Sequence, residues 1–207
     1  YDFGDYQIIG ASPESLVSVK QGQVTTNPIA GTRPRGKDER EDKALAEELL
    51  ADEKEVAEHR MLVDLGRNDI GKIAQNNSVE VTKYMEVEYF RYVMHLTSVV
   101  RGQLLPQLTA MDALKSTLPA GTVSGAPKIR AMKRIYELEQ EKRGVYAGAI
   151  GYLSATGDMD FAIAIRTMIL KNGRAYVQAG AGIVYDSIPT NEYQETINKA
   201  KSMTKIG

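Results

Sequence analysis

Two predicted helices carry carboxylates whose type and spacing could bind a metal ion. Glu58 lies within the helical pattern of residues 38–74, and Glu195 lies in the last helix, four residues before Lys199. A helical Glu at this spacing from a Lys usually forms an exposed ion pair that contributes little to stability. If the two helices converge, however, Glu58 and Glu195 would offer the hard oxygen ligands that Mg²⁺ prefers. The sequence leaves both interpretations open.

An arginine and a glycine-rich segment could bind the carboxylates of a ligand. Arg166 lies in an apolar stretch predicted to be a buried strand, where its charge needs a carboxylate from the protein or from a ligand. Gly180, Ala181 and Gly182 end another apolar strand, and their lack of bulk would let a ligand reach backbone N–H groups. The segment lacks the third glycine and the following helix of a dinucleotide-binding loop. A tightly packed, bulged strand is an equally good interpretation.

A second glycine-containing loop and two histidines are the remaining candidates for functional residues. Residues 121–128 open a helix, so their free N–H groups could bind a carboxylate, although the spacing of a phosphate-binding loop is not met. A purely structural helix start explains the same residues. His95 lies in an apolar strand, where a histidine is usually a hydrogen-bonded core residue. His59 follows Glu58 directly, but the absence of an H-E-x-x-H motif excludes a zinc protease of that type.

The composition excludes several classes of protein. The 26 basic and 27 acidic residues leave a net charge of −1 with no basic half, which disfavours nucleic-acid binding. No apolar run approaches the length of a membrane span. Cysteine is absent, which excludes disulfides, thiolate metal sites and a cysteine nucleophile and fits the cytoplasm, where we expect the protein. Because Tyr1 begins within a strand-like pattern, we expect the chain to be a fragment of a longer protein.

The periodicity of apolar residues predicts an α+β fold. Three strands are followed by a loop, two helices that meet near Asp52, two strands, a short helix, a loop, a longer helix, three strands and a last helix. In chain order, these predicted elements are residues 7–10, 16–20, 24–27, 28–36, 38–74, 78–89, 92–100, 112–117, 119–126, 127–143, 146–155, 159–170, 174–184 and 189–205. Hairpin turns at residues 21–23, 157–158 and 172–173 make the strands antiparallel. We therefore expect one domain over residues 1–207, with antiparallel sheets covered by helices.

Eight segments resemble, in the same order, the signature motifs of the chorismate-utilising enzymes. They are residues 28–36, 58–69, 93–95, 121–128, 148–152, 164–167, 178–182 and 191–196. The resemblance covers essentially the whole chain and implies that the chain is roughly the C-terminal half of the family fold. In that fold, two antiparallel sheets pack on each other, with helices outside.

The resemblance also implies roles for individual residues. Glu58 and Glu195 match the ligands of a Mg²⁺ ion that binds together with chorismate in one deep site. The groups that match those holding the carboxylates of chorismate are the side chains of Tyr146, Arg166 and Lys199 and the backbone of Gly180, Ala181 and Gly182. Three further matches concern catalysis: Glu14 as the acid that protonates the departing 4-hydroxyl, His95 in pyruvate elimination, and Thr122 in contact with the substrate.

Within this family, the sequence most resembles the members that form anthranilate. The implied reaction is the first step of tryptophan biosynthesis, in which ammonia attacks C2 of chorismate and pyruvate is lost. Ala30 stands where aminodeoxychorismate-forming members typically carry a nucleophilic lysine, so ammonia itself should attack. Because the chain has no cysteine, ammonia should come from glutamine through a separate glutaminase subunit. Isochorismate-forming and aminodeoxychorismate-forming enzymes stay alternatives, as does a non-catalytic relative that binds a carboxylate.

Overall fold

A computed structural model describes residues 1–204 of the chain. The strands in this part are β1 (Gln7–Gly10), β2 (Ser15–Lys20), β3 (Gln23–Thr26), β4 (Ile29–Pro34), β5 (Glu80–Tyr89), β6 (Val93–Gln103), β7 (Ala149–Leu153), β8 (Met159–Ile163), β9 (Thr167–Lys171) and β10 (Arg174–Val177). The helices are α1 (Glu39–Ala51), α2 (Glu53–Gly71), α3 (Ala110–Thr117), α4 (Gly121–Ser124), α5 (Lys128–Leu138) and α6 (Pro189–Thr204). None of these helices is long and apolar enough to cross a membrane, within the part of the chain that the structure describes.

The chain divides into two compact units. The large-sheet unit comprises residues 16–117 and 151–161, and the small-sheet unit comprises residues 1–15, residues 118–150 and the chain from residue 162 onwards. The pairs β2–β3, β3–β6, β4–β6, β5–β6, β1–β9 and β9–β10 are all antiparallel. The predicted α+β class with antiparallel sheets is therefore confirmed, whereas the single domain over residues 1–207 stays a prediction.

The strands form a three-stranded and a seven-stranded sheet. The smaller sheet has the order β1-β9-β10, and the larger has the order β4-β6-β3-β2-β8-β7, with β5 also paired to β6. Each of the three predicted turns lies between neighbouring strands: Gln21 and Gly22 join β2 to β3, Gly157 and Asp158 lie between β7 and β8, and Asn172 and Gly173 join β9 to β10. Positive φ occurs in each turn, at Gln21, Gly22, Gly157, Asn172 and Gly173, as tight turns between antiparallel strands require.

The loop predicted over residues 28–36 is wrong, because it contains the strand β4. This strand pairs with β6, and a bulge next to Gly31, whose φ is +75°, shifts the register between them. Glycine and proline masked the strand in the sequence. Both residues are tolerated at a strand end, at a bulge or on an outer strand of a sheet, and β4 offers all three positions.

The helix break predicted near Asp52 is confirmed. This residue ends α1 and caps α2, because its side chain accepts hydrogen bonds from the backbone N–H groups of Lys54 and Glu55. α2 then packs on β4 and β6. Its buried stripe has helical spacing and consists of His59, Leu62, Val63, Gly66, Asp69 and Ile70. Core packing therefore fixes this helix within the large-sheet unit.

Three predicted strands are shorter than expected. The strand predicted over residues 146–155 is β7, which covers only Ala149–Leu153. Residues 159–170 form β8 and β9 rather than one strand, because the backbone turns at residues 164–166, where Arg166 has a φ of +50°. The turn takes the chain out of the seven-stranded sheet and into the three-stranded one. The strand predicted over residues 174–184 stops at Val177, and residues 178–184 have no regular structure.

The helices of the small-sheet unit also differ from prediction at their ends. The predicted loop at residues 119–126 contains the single turn α4, and the helix predicted over residues 127–143 is α5, which ends at Leu138. The last helix begins at Pro189, as predicted, while its predicted end at Lys205 lies outside the described residues.

Candidate active site

Glu14 is the most strongly perturbed carboxyl group of the small-sheet unit. Burial raises the pKa of Glu14 to about 7, against a hydrogen bond from the Thr122 side chain and the positive charges of Arg166 and Lys199, which lower it. We call these four residues the acid cluster. A carboxyl with such a pKa exchanges its proton near neutral pH, so it can act as an acid or a base there.

Backbone hydrogen bonds hold two members of the acid cluster, Glu14 and Arg166, in neighbouring segments although they are far apart in the sequence. The N–H of Ile163 donates to the carbonyl of Glu14 at 3.0 Å, and the N–H of Ala11 donates to the carbonyl of Arg166 at 3.2 Å. These two bonds hold the segment before β2 beside the turn between β8 and β9. Arg166 therefore lies in a half-buried turn, so the prediction that it is buried within a strand is wrong.

Lys199 links the last helix to the glycine-rich segment. Its Nζ donates to the carbonyl of Gly180 at 3.2 Å, and it forms an ion pair with Glu195 one turn earlier in α6. A Cβ at Gly180 would lie 2.8 Å from the hydroxyl of Tyr146, so only glycine allows this close approach. Burial raises the pKa of Tyr146. The structure thus brings together Tyr146, Gly180, Glu195 and Lys199, and it places Ala181 and Gly182 in the same irregular segment.

The other predicted site residues lie in the large-sheet unit. His95 is half-buried on β6, with its Nδ1 3.0 Å from the carbonyl oxygen of Gly31 and 3.1 Å from the hydroxyl of Thr32. A carbonyl oxygen only accepts hydrogen bonds, so Nδ1 is the donor to Gly31. Ala30 is buried in β4, opposite Leu96.

Glu58 lies in a concentration of negative charge at the start of α2. It is half-buried, and Glu55 lies one turn before it on the same helix. Burial, followed by the charges of Glu58 and Asp52, raises the pKa of Glu55, while Arg33 opposes the shift. Repelling carboxylates of this kind suit a cation. Within residues 1–204, no group of three or more His, Asp or Glu side chains is close enough to hold a metal ion, and Glu195 belongs to the other unit.

The core histidine is His59 rather than His95. His59 is 0% exposed, and its Nε2 lies 2.6 Å from the hydroxyl of Ser98, which accepts the N–H of Met85 at 2.8 Å. Burial lowers the pKa of His59 to about 4, so its ring is neutral near pH 7. The sequence did carry a signal for this role, because His59 has helical spacing to the apolar residues Leu62 and Val63.

Comparison with known proteins decides the family. The family model described as chorismate binding enzyme matches residues 1–205. This chain belongs to the chorismate-binding enzymes. The expected resemblance is therefore confirmed over the whole described part of the chain.

Three relatives define the position of the chain among the chorismate-binding enzymes. It is 65% identical over 206 residues to anthranilate synthase component 1 of Lactococcus lactis subsp. lactis, covering 100% of this chain and 45% of the relative. The crystal structure of anthranilate synthase component I from Streptococcus pneumoniae TIGR4 matches with a TM-score of 0.92 and 83% identity, over 99% of this chain and 45% of that one. The menaquinone-specific isochorismate synthase from Escherichia coli matches with a TM-score of 0.86 and 29% identity, over 97% and 46%. The chain spans less than half the length of these chorismate-binding enzymes.

Proposed function

We propose that the protein containing this chain converts chorismate and ammonia to anthranilate and pyruvate, the first step of tryptophan biosynthesis. Relatives with 65% and 83% identity are anthranilate synthase components, whereas the isochorismate synthase is only 29% identical. The observation that carries the proposal is the acid cluster, in which a carboxyl group with a pKa of about 7 lies among two cations and a hydroxyl.

The acid cluster fits the most difficult step of this reaction. Hydroxide is a poor leaving group, so the 4-hydroxyl of chorismate must be protonated as it departs, and Glu14 is the proposed donor. Arg166 and Lys199 are proposed to bind substrate carboxylates by charge-assisted hydrogen bonds. Tyr146 and the backbone of residues 180–182 are proposed to complete this anion-binding region.

Glu58 and Glu195 are the proposed ligands of Mg²⁺. Both are oxygen donors, and Glu58 lies beside Glu55 in a region where negative charges repel. Mg²⁺ commonly binds one or two protein carboxylates together with substrate oxygens and water. When bound, the ion would neutralise the carboxylate on the chorismate ring.

His95 and Ala30 are proposed to bear on different steps: His95 on the loss of pyruvate, and Ala30 on the attack at C2. With Nδ1 held by the carbonyl of Gly31, His95 can accept or release a proton at Nε2 while pyruvate is lost. Ala30 has no nucleophile, so the attack at C2 is assigned to ammonia. A separate glutaminase subunit is the proposed source of ammonia because this chain has no cysteine. We place the reaction in the cytoplasm.

Product analysis tests the proposal. The full-length protein is incubated with chorismate, Mg²⁺ and ammonium, and the products and the intact protein are analysed by mass spectrometry. We expect anthranilate and pyruvate, with no increase in the mass of the protein. Isochorismate or aminodeoxychorismate as the main product would overturn the proposal, and a covalent adduct would overturn the role of Ala30. Replacing ammonium by glutamine should require added glutaminase subunit.

A further inference from the structure

Arg143 contacts three separate parts of the small-sheet unit, and the sequence indicated no role for it. It follows α5, and its Nη1 donates to the carbonyl of Val123 at 2.6 Å. Its Nε and Nη2 donate to the carboxylate of Glu139 at distances down to 2.5 Å, and its guanidinium lies 5.5 Å from the centre of the Tyr146 ring. The guanidinium therefore contacts three separate groups at once, which a lysine could not reproduce.

The carbonyl that Arg143 holds belongs to the turn that carries Thr122. α4 has only four residues and no side-chain cap at its N-terminus, and it ends at Gly125 with a φ of +107°. The carbonyls at the end of a helix need partners from outside it. Arg143 supplies one to Val123, the residue next to Thr122, while the ion pair with Glu139 fixes the direction of the guanidinium.

We propose that Arg143 is a positioning residue for the acid cluster: by holding the carbonyl of Val123, it keeps the Thr122 hydroxyl on the Glu14 carboxyl. The relay runs from Glu139 through Arg143 and the α4 turn to Thr122 and Glu14. The effect of Arg143 on catalysis rests on the function proposed above, whereas its effect on the hydrogen bond between Thr122 and Glu14 does not. Arg143 also orders the Tyr146 ring, another residue of the candidate site.

Loss of the contacts of Arg143 should shift the pH dependence of kcat/KM in one direction. A hydrogen bond from Thr122 favours the charged form of Glu14 and so lowers its pKa, as do Arg166 and Lys199. Loosening the α4 turn removes this bond, and the pKa of Glu14 then rises. An acid must be protonated to work, so kcat/KM falls as pH rises through the pKa of the free enzyme, and this alkaline limb should move to higher pH.

The experiment compares variants of the full-length protein assayed with chorismate, Mg²⁺ and ammonium. We expect Arg143→Met to move the alkaline limb of kcat/KM upward by about 0.5 pH unit or more. On the plateau below the limb, where Glu14 is protonated in both proteins, kcat/KM should fall by about tenfold because the acid cluster is less well positioned. Thr122→Val should cause a similar shift, and the double variant should shift no further than either single variant. Arg143→Lys should rescue only part of the effect.

The chain offers a matched control on the preceding helix. Arg134 also pairs with a glutamate, Glu137, at 2.6 Å, but this exposed pair lies on α5. Arg134→Met should leave the limb unchanged. If Arg143→Met does not fold, Glu139→Gln loosens the same guanidinium and should shift the limb in the same direction. A limb unchanged in Arg143→Met, or additive shifts in the double variant, would overturn the inference.

A second measurement separates this inference from the proposed function. The carboxyl carbon of Glu14 is titrated by NMR in the ¹³C-labelled, substrate-free protein, with Glu14→Gln to assign the signal. We expect a higher midpoint in Arg143→Met than in wild type. If wild type makes no anthranilate but this shift is present, the proposed function fails and the inference stands. If anthranilate forms but the midpoint does not move, the inference fails alone.

Discussion

The acid cluster and the large-sheet residues Glu58, His59 and His95 are positioned in different ways. The acid cluster is drawn from the segment before β2, the turn α4, the break between β8 and β9, and α6, a helix with no buried residue. The large-sheet residues lie on α2 and β6, which form much of a packed core. The properties of the first group depend on one another, whereas those of the second depend on packing.

Burial affects one residue of each group in opposite directions. It raises the pKa of Glu14 to about 7 and lowers the pKa of His59 to about 4, because burial disfavours the charged form of either group. The consequence differs because Glu14 remains able to exchange a proton near neutral pH, whereas His59 stays neutral and structural. Substitutions can therefore distinguish the two groups: those in the acid cluster should change the pH dependence of catalysis, whereas those around His59 should change stability.

The largest expected effect is that of Glu14→Gln. It should lower kcat by about 10²–10⁴-fold and abolish the alkaline limb near pH 7, because glutamine cannot donate the proton. Steady-state assays of the full-length protein across pH 6–9 measure both, with the exposed Glu47→Gln as control. A wild-type limb in Glu14→Gln would assign the pH dependence to another group.

Arg166→Ala should have the next largest effect. Loss of the guanidinium should lower kcat/KM for chorismate by about 10²–10³-fold, because a desolvated substrate carboxylate loses its charged partner. Arg166→Lys should restore only part of the loss, since lysine lacks the bidentate fork. The exposed Arg174 of β10 supplies the control Arg174→Ala. Unchanged kinetics in Arg166→Ala would remove Arg166 from the site.

Metal dependence tests one residue of each unit. Glu58→Gln and Glu195→Gln should each raise the Mg²⁺ concentration needed for half-maximal activity by about tenfold or more, because each removes a charged oxygen ligand. Activity titrations with Mg²⁺ measure this, and circular dichroism should show an unchanged fold. If a variant keeps wild-type activity at limiting Mg²⁺, the substituted glutamate is not a ligand of the metal ion.

We expect truncation of a side chain to destabilise the large-sheet unit more than the small-sheet unit. Leu62→Ala on α2 should lower the free energy of unfolding by about 3 kcal/mol, because it leaves a cavity in a packed core. Ile197→Ala on the less buried α6 should cost less than half as much. Denaturant unfolding of the full-length protein measures both. Equal costs would show that α6 is packed as tightly as α2.

Ser98→Ala should have the smallest effect on catalysis. It removes the hydroxyl shared by His59 and the N–H of Met85, so we expect a loss of about 1–3 kcal/mol in stability. The alkaline limb of kcat/KM should stay at its wild-type pH, because the hydroxyl of Ser98 bonds to His59 and to the N–H of Met85, both of the large-sheet unit. Thermal unfolding and a pH profile measure the two effects separately. A displaced limb would contradict the distinction between the groups.

Local signals in the sequence predicted several elements correctly. Asp52 combines a helix stop with a capping side chain, and the residues of the two hairpin turns tolerate positive φ, so both features can be read without tertiary information. β4 was missed because its glycine and its proline suit a loop equally well. The division of residues 159–170 was missed because a mostly apolar stretch without glycine or proline gives no sign that the chain changes sheets at Arg166.

The sequence by itself determined the family, since eight motifs in a fixed order leave little freedom, and it determined which residue types could act as acid, anion binders and metal ligands. Only the tertiary structure decided how those residues behave. It made His59 rather than His95 the core histidine, and it raised the pKa of Glu14 through burial among groups more than 100 positions away in the chain. The physical reason is that desolvation and hydrogen bonding depend on neighbours in space, which local periodicity and motif spacing do not specify.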